Sequence, residues 1–333
     1  MTNKIIPSLA VGAAMALTAG FNVANAAEEL TVAYFLEWPT PNQYAQSKEI
    51  YEKELSKKIN WISFDAGTAM SAAMASGDVQ ISFSQGIPPF VVAASAGQDL
   101  QVVDVAVSYS ENDNCVVRSS LEIDKTNPKD LEGKEVGVPL GTAAHYGFLK
   151  QMDYFGVNTA TMKIVDMAPP DGAAAFATGN LDMVCGWGGA LRRMKEHGNV
   201  LLTGAEKEAL GIQVFDATTV STSWAKENPD LLAKFLKVTA DMNAKFAANG
   251  QGEMLPVIAK AAGMDQDATA STLAGFTFPT IEEQLGEKWL GGGTQTFLKE
   301  VADFFVEQGT IDKARSSYDS AVDASYLKAA SQM

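Results

Sequence analysis

The chain has 333 residues, of which 47% are hydrophobic and 20% charged, and its formal net charge is −15 at pH 7. This composition is too apolar for a disordered protein, and the length predicts two domains or one elaborate domain with a sizeable core. Because 40 acidic side chains outnumber 25 basic ones, the protein should repel phosphate backbones and anionic lipids. We therefore expect neither nucleic acid nor a membrane surface as a partner.

The first 26 residues have the pattern of a cleaved secretory signal peptide. A basic start at Lys4 leads into an apolar stretch over residues 5–17, and Ala24-Asn25-Ala26 matches the small-x-small pattern that signal peptidase reads. The apolar stretch is shorter than the ~20 residues of a membrane span, and no cysteine directly follows the predicted cleavage point. We expect a soluble periplasmic protein without a lipid anchor, beginning at Ala27.

Short β-rich runs alternate with segments of helical spacing through the next two hundred residues. The β-rich runs are residues 31–35, 61–64, 79–83, 102–107, 136–138, 163–167, 183–186 and 215–220. This alternation predicts an α/β protein whose sheets are mostly parallel and flanked by helices. Beyond Trp224 the helical pattern dominates, with a predicted helix start at Asn228-Pro229.

Two similar segments suggest two related lobes. Residues 72–79 (AAMASGDV) and 174–181 (AAFATGNL) each predict a small-residue helix that ends at a glycine before a strand. Chance reuse of a good turn explains the similarity equally well. Each copy follows a polar loop with a glycine, at residues 65–68 and 169–172, and such loops collect ligands at the carboxyl ends of strands.

No motif of an enzyme stands out in the sequence. The chain contains no GxGxxG, no Walker loop and no GxSxG, and His145 and His197 do not occur in a zinc-ligand spacing. Asn112-Asp113-Asn114 is not followed by the glycine and distal glutamate of a calcium loop. We expect a binding protein with no catalytic residue, no metal and no cofactor.

Four segments carry a resemblance to a known family. They are residues 75–81 (ASGDVQI), 138–146 (VPLGTAAHY), 184–190 (VCGWGGA) and 215–219 (FDATT). The chain resembles the periplasmic substrate-binding proteins of ABC importers in the taurine and aliphatic-sulfonate family, over essentially its whole length after the signal peptide. Taurine binders carry Trp-Ala-Pro where this chain has Trp187-Gly-Gly.

The resemblance implies the type II periplasmic-binding-protein fold. In that fold two lobes, each a mostly parallel sheet flanked by helices, are joined by two crossing strands, and the ligand lies in the cleft. Residues 27–110 and 220–333 would form a discontinuous lobe I, and residues 111–219 would form lobe II. The implied function is that of a high-affinity monomeric binding component, which delivers its ligand unchanged to the permease subunits of an ABC importer.

The ligand that the resemblance implies is taurine, a zwitterion with a sulfonate at one end and an ammonium at the other. Unpaired N–H groups at helix N-termini suit the oxygens of a sulfonate. His145 can donate to the same anion or serve as a packing residue. The candidate residues for the anionic end are Gly67, Thr68, Gln85, Gly86, Gly141, Thr142, Ala143 and His145.

The ammonium end needs an acidic partner, and Asp216 is the candidate. It lies between apolar neighbours on a predicted crossing strand, where the family aligns an acid, although a hinge salt bridge or a hydrogen bond to the backbone would also explain a charge there. Glu37 and Trp38 follow the first strand, and the indole faces of Trp38 and Trp187 can flank an amine. The alternatives are an alkanesulfonate, hypotaurine, β-alanine, nitrate or a pyrimidine as ligand, or an enzyme on the same fold.

The two cysteines of the chain fall in the predicted second lobe. Cys115 opens the strand that enters this lobe, and Cys185 lies in its third parallel strand. In two-lobe binders of this type those strands are neighbours, which implies a disulfide in an oxidising compartment. Two buried free thiols are the alternative.

Overall fold

The computed structural model of the protein describes residues 29–333. The predicted signal peptide, residues 1–26, lies outside the described residues. Among residues 29–333, no helix combines the length and the apolar composition that a membrane span requires.

Strands and helices alternate along the chain as predicted, and helices dominate its last third. The strands are β1 (Leu30–Tyr34), β2 (Ile59–Ser63), β3 (Ile81–Gly86), β4 (Leu100–Tyr109), β5 (Asp113–Arg118), β6 (Glu135–Val138), β7 (Lys163–Asp166), β8 (Met183–Trp187), β9 (Gly198–Asn199), β10 (Val214–Ser221) and β11 (Phe276–Thr277). The helices are α1 (Pro41–Ser47), α2 (Ile50–Leu55), α3 (Gly67–Ser76), α4 (Ile87–Ser95), α5 (Ala143–Phe155), α6 (Pro169–Ala177), α7 (Gly188–Lys195), α8 (Gly204–Ala209), α9 (Thr222–Glu227), α10 (Pro229–Glu253), α11 (Leu255–Ala262), α12 (Gln266–Ala274), α13 (Ile281–Leu285), α14 (Gly293–Glu307) and α15 (Ser325–Ala330). Short 3₁₀ helices occur at Ser119–Leu121, Pro128–Leu131, Thr159–Thr161 and Asp319–Ala321.

The strands form two separate sheets, each the centre of one lobe. The first sheet has the order β11-β4-β10-β3-β1-β2 and the second has the order β7-β6-β8-β5-β9. Strands β2, β1 and β3 pair in parallel, as do β7, β6 and β8, whereas β10 and β5 run antiparallel to their neighbours. This is the predicted two-lobe α/β fold, in which each parallel sheet also receives an antiparallel strand.

The return of the chain into the first sheet occurs earlier than the predicted boundary at residue 220. Strand β10 is hydrogen-bonded to β4 from Val214 onward and also pairs with β3. The register shifts within these ladders, but β10 pairs only with strands of the first sheet, so residues 214–219 lie in that sheet and not in the second. Asp216 therefore lies inside the first sheet, in register with Gly86 of β3 and Val107 of β4.

The duplicated turn occurs once in each lobe. Helix α3 ends at Gly77, with φ +85°, before β3 of the first sheet, and Gly179, with φ +88°, follows α6 before β8 of the second sheet. A left-handed residue at this place favours glycine because it has no Cβ. The two copies therefore play the same structural part in both lobes.

A disulfide joins Cys115 and Cys185. The two residues lie directly opposite each other on the antiparallel strands β5 and β8, in the middle of the second sheet. Both are buried. The disulfide therefore links the two strands whose ends, at Asp113 and Trp187, reach the cleft.

Candidate functional site

A small cavity lies where the two lobes meet. Its lining comes from strand ends and helix N-termini of both lobes. The lining residues are Phe35, Trp38, Gly67, Gly86, Pro89, Tyr109, Asp113, Thr142, Ala143, Trp187 and Asp216. The volume open to the centres of water-sized spheres is about 20 Å³. This corresponds to one or two water molecules, at ~10–15 Å³ each. A ligand of more than one or two heavy atoms therefore requires the lobes or the lining side chains to move apart.

Larger pockets on the outer surface lack this chemistry. One of them is a mostly apolar groove between α10 and α13. Among its described lining residues there is no buried carboxylate without a partner, whereas the cavity between the lobes has one. Convergent polar groups in a small site are a better indication of specific binding than volume alone.

Asp216 is the buried acid that the sequence placed in the cleft. Its Oδ1 accepts a hydrogen bond from the Tyr109 hydroxyl and its Oδ2 accepts one from Ser84 Oγ, both at 2.7 Å. Ser84 Oγ in turn accepts from the indole N–H of Trp38 at 3.0 Å. No basic side chain among residues 29–333 pairs with Asp216, so the alternative of a hinge salt bridge is wrong.

The Ser84 hydroxyl, one of the two donors to Asp216, is held by a strained backbone conformation. Its φ of +59° lies in the left-handed region, which a serine rarely adopts. Strained residues of this kind concentrate at binding sites, where surrounding structure holds them in place. The conformation directs the Ser84 hydroxyl at Asp216.

A second acid, Asp113, also lines the cavity, although it is not one of the predicted ligand-binding residues. Asp113 is 2% exposed, and its Oδ2 has no hydrogen-bond partner among the described residues. The buried ammonium of Lys207 donates to its backbone carbonyl oxygen. Asp113 lies opposite Trp187 in the β5–β8 ladder, and that register was the signal that would have identified it.

Burial shifts the protonation of both acids. Burial raises the pKa of Asp216 to about 7, against the opposing hydrogen bonds from Tyr109 and Ser84. Burial also raises the pKa of Asp113 to about 7, against the nearby positive charge of Lys207. A cation that enters the cavity would favour the ionised form of both carboxyls.

Helix N-termini from both lobes supply hydrogen-bond donors to the same cavity. Thr142 caps α5, and its Oγ1 accepts from the His145 N–H at 3.4 Å. Within residues 29–333, neither Ala143 nor Ala144 has an acceptor for its backbone N–H. Gly67 opens α3 on the first lobe, and its N–H also has no acceptor in the described part of the chain. Such N–H groups, at the positive ends of helix dipoles, suit an anion.

Gly86 separates the acidic part of the cavity from the N-terminus of α5. A Cβ added to Gly86 would lie 3.5 Å from Asp216 Oδ1 and also 3.5 Å from Ala143 Cβ. Asp216 and the first residue of α5 therefore lie on either side of Gly86, close to one another.

We expect Gly86→Ala to block the cavity without disturbing the fold. The φ of Gly86 is −58°, which any residue adopts, and the added methyl group would make only ordinary van der Waals contacts. The dissociation constant for the ligand should rise at least about tenfold, or ~1.4 kcal/mol. Calorimetry measures the affinity, and urea unfolding checks the stability.

Gly252→Ala is the matched control for Gly86→Ala. A Cβ at Gly252 would have nothing within 4 Å, and this residue lies on α10, away from the cleft. Unchanged affinity in Gly86→Ala would show that the ligand does not occupy the space beside Asp216.

Aromatic side chains form the remaining walls of the cavity. Trp38 is buried and packs edge-on against Tyr109, with ring centroids 4.8 Å apart. Trp187 is half-buried and packs against Phe35, with centroids 5.6 Å apart. Both predicted tryptophans thus lie in the cavity wall, and Phe35 and Tyr109 are additions that the sequence analysis did not name.

Five of the predicted site residues do not line the cavity, although each is next in sequence or hydrogen-bonded to a residue that does. Gln85 donates to the Gly67 carbonyl oxygen and to Ser71, and accepts from Thr219, so its amide is fully engaged within the first lobe. Gln85 thereby positions the start of α3. The other four are Glu37, Thr68, Gly141 and His145.

His145 positions the N-terminus of α5 and does not itself line the cavity. Burial lowers the pKa of His145 to about 4, so its ring is neutral near pH 7. Its Nδ1 accepts from the Gly141 N–H at 3.1 Å, and the same bond removes Gly141 from the set of free donors. Gly141 has a φ of +73° and Thr68 lies beside it.

Glu37 binds a cation of the protein itself. Its carboxylate makes a two-pronged contact with Arg193 of α7, at 2.8 and 2.9 Å, and its carbonyl oxygen accepts from the Gly189 N–H at 3.2 Å. These bonds connect the loop after β1 in the first lobe with the N-terminus of α7 in the second. Glu37 therefore connects the two lobes beside the cavity; its contacts with Gly189 and Arg193 are here called the clasp.

Comparison with known proteins identifies the family and agrees with the fold. Residues 58–253 match the family model described as NMT1/THI5 like. The chain belongs to this family. The taurine-binding periplasmic protein of Escherichia coli (strain K12) is 27% identical to this NMT1/THI5-like protein, over 91% of the chain and 93% of that relative.

Solved structures show the same fold at lower identity. The alkanesulfonate-binding protein SsuA from Xanthomonas axonopodis pv. citri, bound to MOPS, aligns with a TM-score of 0.72 and 19% identity, over 89% of this chain and 98% of SsuA. The desulfurization enzyme DSZB aligns with a TM-score of 0.65 and 14% identity, over 91% and 99%. At these identities the likeness establishes the periplasmic-binding-protein fold, which binders and an enzyme share.

Proposed function

We propose that this NMT1/THI5-like protein is the substrate-binding component of an ABC importer and that its ligand is taurine. In this proposal residues 1–26 direct export to the periplasm, and the monomer closes around taurine and delivers it unchanged to the permease subunits. The relatives that bind taurine and alkanesulfonates support the transport role.

One observation carries the choice of taurine among sulfonates. The cavity is lined both by two buried carboxyl groups, Asp113 and Asp216, and by the N-terminus of α5 with its unpaired N–H groups. An alkanesulfonate has no cation for these acids, and its binding would leave two buried carboxyl groups without a counter-charge. A short zwitterion pairs with both ends, and taurine has two carbons between sulfonate and ammonium.

The enzyme alternative has less support in the site. The only two cysteines of the chain form the Cys115–Cys185 disulfide, away from the cavity lining. His145, the histidine nearest the cavity, is held by Gly141. The site instead offers acceptors at one end and donors at the other, which is the chemistry of reversible binding.

A ligand panel in a thermal-shift assay tests the proposed function. Taurine should raise the melting temperature, since a ligand that binds only the native state stabilises it by ~2.7 kcal/mol at one hundred times Kd. Ethanesulfonate lacks the ammonium and β-alanine replaces the sulfonate by a carboxylate, so both should stabilise less. A larger shift with ethanesulfonate than with taurine would contradict the proposal.

Taurine affinity should rise with pH between 5 and 7. Burial raises the pKa of Asp113 and Asp216 to about 7, so in the empty cavity they hold protons that the unfolded chain loses near pH 4. The stability of the ligand-free protein from these groups is therefore present at low pH and falls as pH rises toward 7. An ammonium needs the ionised carboxylates, so binding releases protons.

We expect about a tenfold gain in taurine affinity per pH unit for each released proton. Calorimetry in two buffers of different ionisation enthalpy counts these protons. Ethanesulfonate is the control, since its binding should not release protons. A taurine affinity that is constant from pH 5 to 7 would show that the two acids do not contact the ammonium.

A further inference from the structure

A second pocket, here called the vestibule, adjoins the cavity at the mouth of the cleft. It admits the centre of a water-sized sphere over about 280 Å³, against about 20 Å³ in the cavity. Its own walls combine an apolar part with a charged part. The apolar residues are Leu36, Phe64, Pro169, Pro170 and Ala190, and the charged ones are Glu37, Asp65 and Arg193. The vestibule could accept a methylene chain that the cavity has no room for.

Two side chains, Phe35 and Trp187, belong to both pockets. Phe35 follows β1 of the first lobe and Trp187 ends β8 of the second, and their ring centroids lie 5.6 Å apart at an interplanar angle of 60°. One ring from each lobe thus forms the partition between the cavity and the vestibule. Because each lobe supplies one of the two rings, the partition forms only when the lobes are in contact.

The other walls of the cavity cannot give way as easily. Trp38 and Tyr109 are buried, and both pack against Phe276 in the core of the first lobe. Gly86 and Asp216 are paired in the centre of the first sheet. A ligand that is longer than the cavity therefore has one apolar direction in which to extend, through the Phe35–Trp187 partition.

The clasp between the lobes fixes the partition. Directly after Trp187, the Gly188 N–H donates to the Asn112 carbonyl oxygen and the Gly189 N–H donates to the Glu37 carbonyl oxygen, and Arg193 pairs with the Glu37 carboxylate. A Cβ at Gly188, whose φ is +55°, would lie 2.3 Å from the Glu37 carbonyl oxygen. The two glycines allow the first lobe to approach closely beside Trp187.

We propose that the Phe35–Trp187 partition sets the length of ligand that the protein accepts. The intact partition closes the cavity on the side of the vestibule and disfavours ligands longer than taurine, and its removal joins the cavity to the vestibule and admits longer ω-aminosulfonates. This inference rests on the proposed function. The test uses the affinities of taurine, 3-aminopropanesulfonate and 4-aminobutanesulfonate, measured by calorimetry.

The wild-type protein should bind taurine about tenfold or more tightly than the three-carbon homologue, and the four-carbon homologue more weakly still. Trp187→Ala and Phe35→Ala should each bring these ratios toward one. Leu36→Ala is the matched control, because Leu36 lines the vestibule only and is 43% exposed. It should keep the wild-type ratios.

Trp187→Phe covers the case in which the alanine variants fail to fold or lose all binding. It keeps an aromatic wall of smaller size, so it should bind taurine and shift the ratios part of the way. Wild-type ratios in this variant, or equal affinities of the three ligands in the wild-type protein, would overturn the inference. Absence of wild-type binding to all three ligands would instead contradict the proposed function.

Discussion

Asp216→Asn should weaken taurine binding by about 2–4 kcal/mol, because it removes the counter-charge of a desolvated ammonium. Asparagine has nearly the same shape as aspartate, and the Tyr109 and Ser84 hydroxyls that donate to Asp216 can reorient to accept from an amide. The cavity should therefore keep its form. Calorimetric titration of wild type and variant, with taurine and with ethanesulfonate, gives the four affinities that decide the question.

Ethanesulfonate and Asp104→Asn are the two controls for this prediction. Ethanesulfonate has no ammonium, so its affinity for Asp216→Asn should change little or improve. Asp104 is also a buried aspartate of the first sheet; it accepts from Thr218, and burial raises its pKa to about 6, but it does not line the cavity. Asp104→Asn should keep wild-type taurine affinity. Wild-type affinity in Asp216→Asn would refute the zwitterion proposal.

The fold was predictable because alternating apolar runs and glycine stops are local signals. Gly77 and Gly179 end their helices before strands in both lobes, as the duplicated segment indicated. The strand boundaries were harder to predict from the sequence. Val214 and Phe215 join the first sheet because they pair with Tyr109 and Ser108 of β4, and a pairing over such a separation has no local signature in the sequence.

The site was predictable where backbone position alone decides the role. Gly86, Thr142 and Ala143 stand at a strand end or helix start, and the cavity lies there. Side chains with several potential partners were not predictable. Gln85 and Glu37 have the polarity of ligand contacts, but the fold offers them Thr219 and Arg193 instead.

Asp113 shows the opposite failure. In the sequence it stands between two asparagines, which favours a solvated turn, yet it begins β5 and lies opposite Trp187. Its contact with the cavity depends on the register between β5 and β8. The Cys115–Cys185 disulfide crosses this ladder two residues away, so knowledge of the pairing of the cysteines would have placed Asp113 beside Trp187.

Removal of the disulfide should lower the free energy of unfolding by about 4 kcal/mol, the chain-entropy estimate for a loop of this length. The bond closes a separation of 70 residues between Cys115 and Cys185. Cys115→Ala with Cys185→Ala is the suitable variant, because both positions are buried and alanine leaves no polar group unsatisfied there. Urea unfolding of the oxidised wild type and of this double variant measures the difference.

Reduced wild-type protein is the control that separates the crosslink from the packing of the sulfur atoms. It retains both sulfurs but loses the constraint on the unfolded chain, so its stability should fall nearly as far as that of the double variant. Taurine affinity should change by less than about 1 kcal/mol in the folded double variant, since β5 and β8 remain paired from Asp113 to Val117 through their own ladder. A loss of stability under about 1 kcal/mol in both proteins would contradict the entropic account, whereas a loss confined to the double variant would assign the stability to packing around the sulfurs.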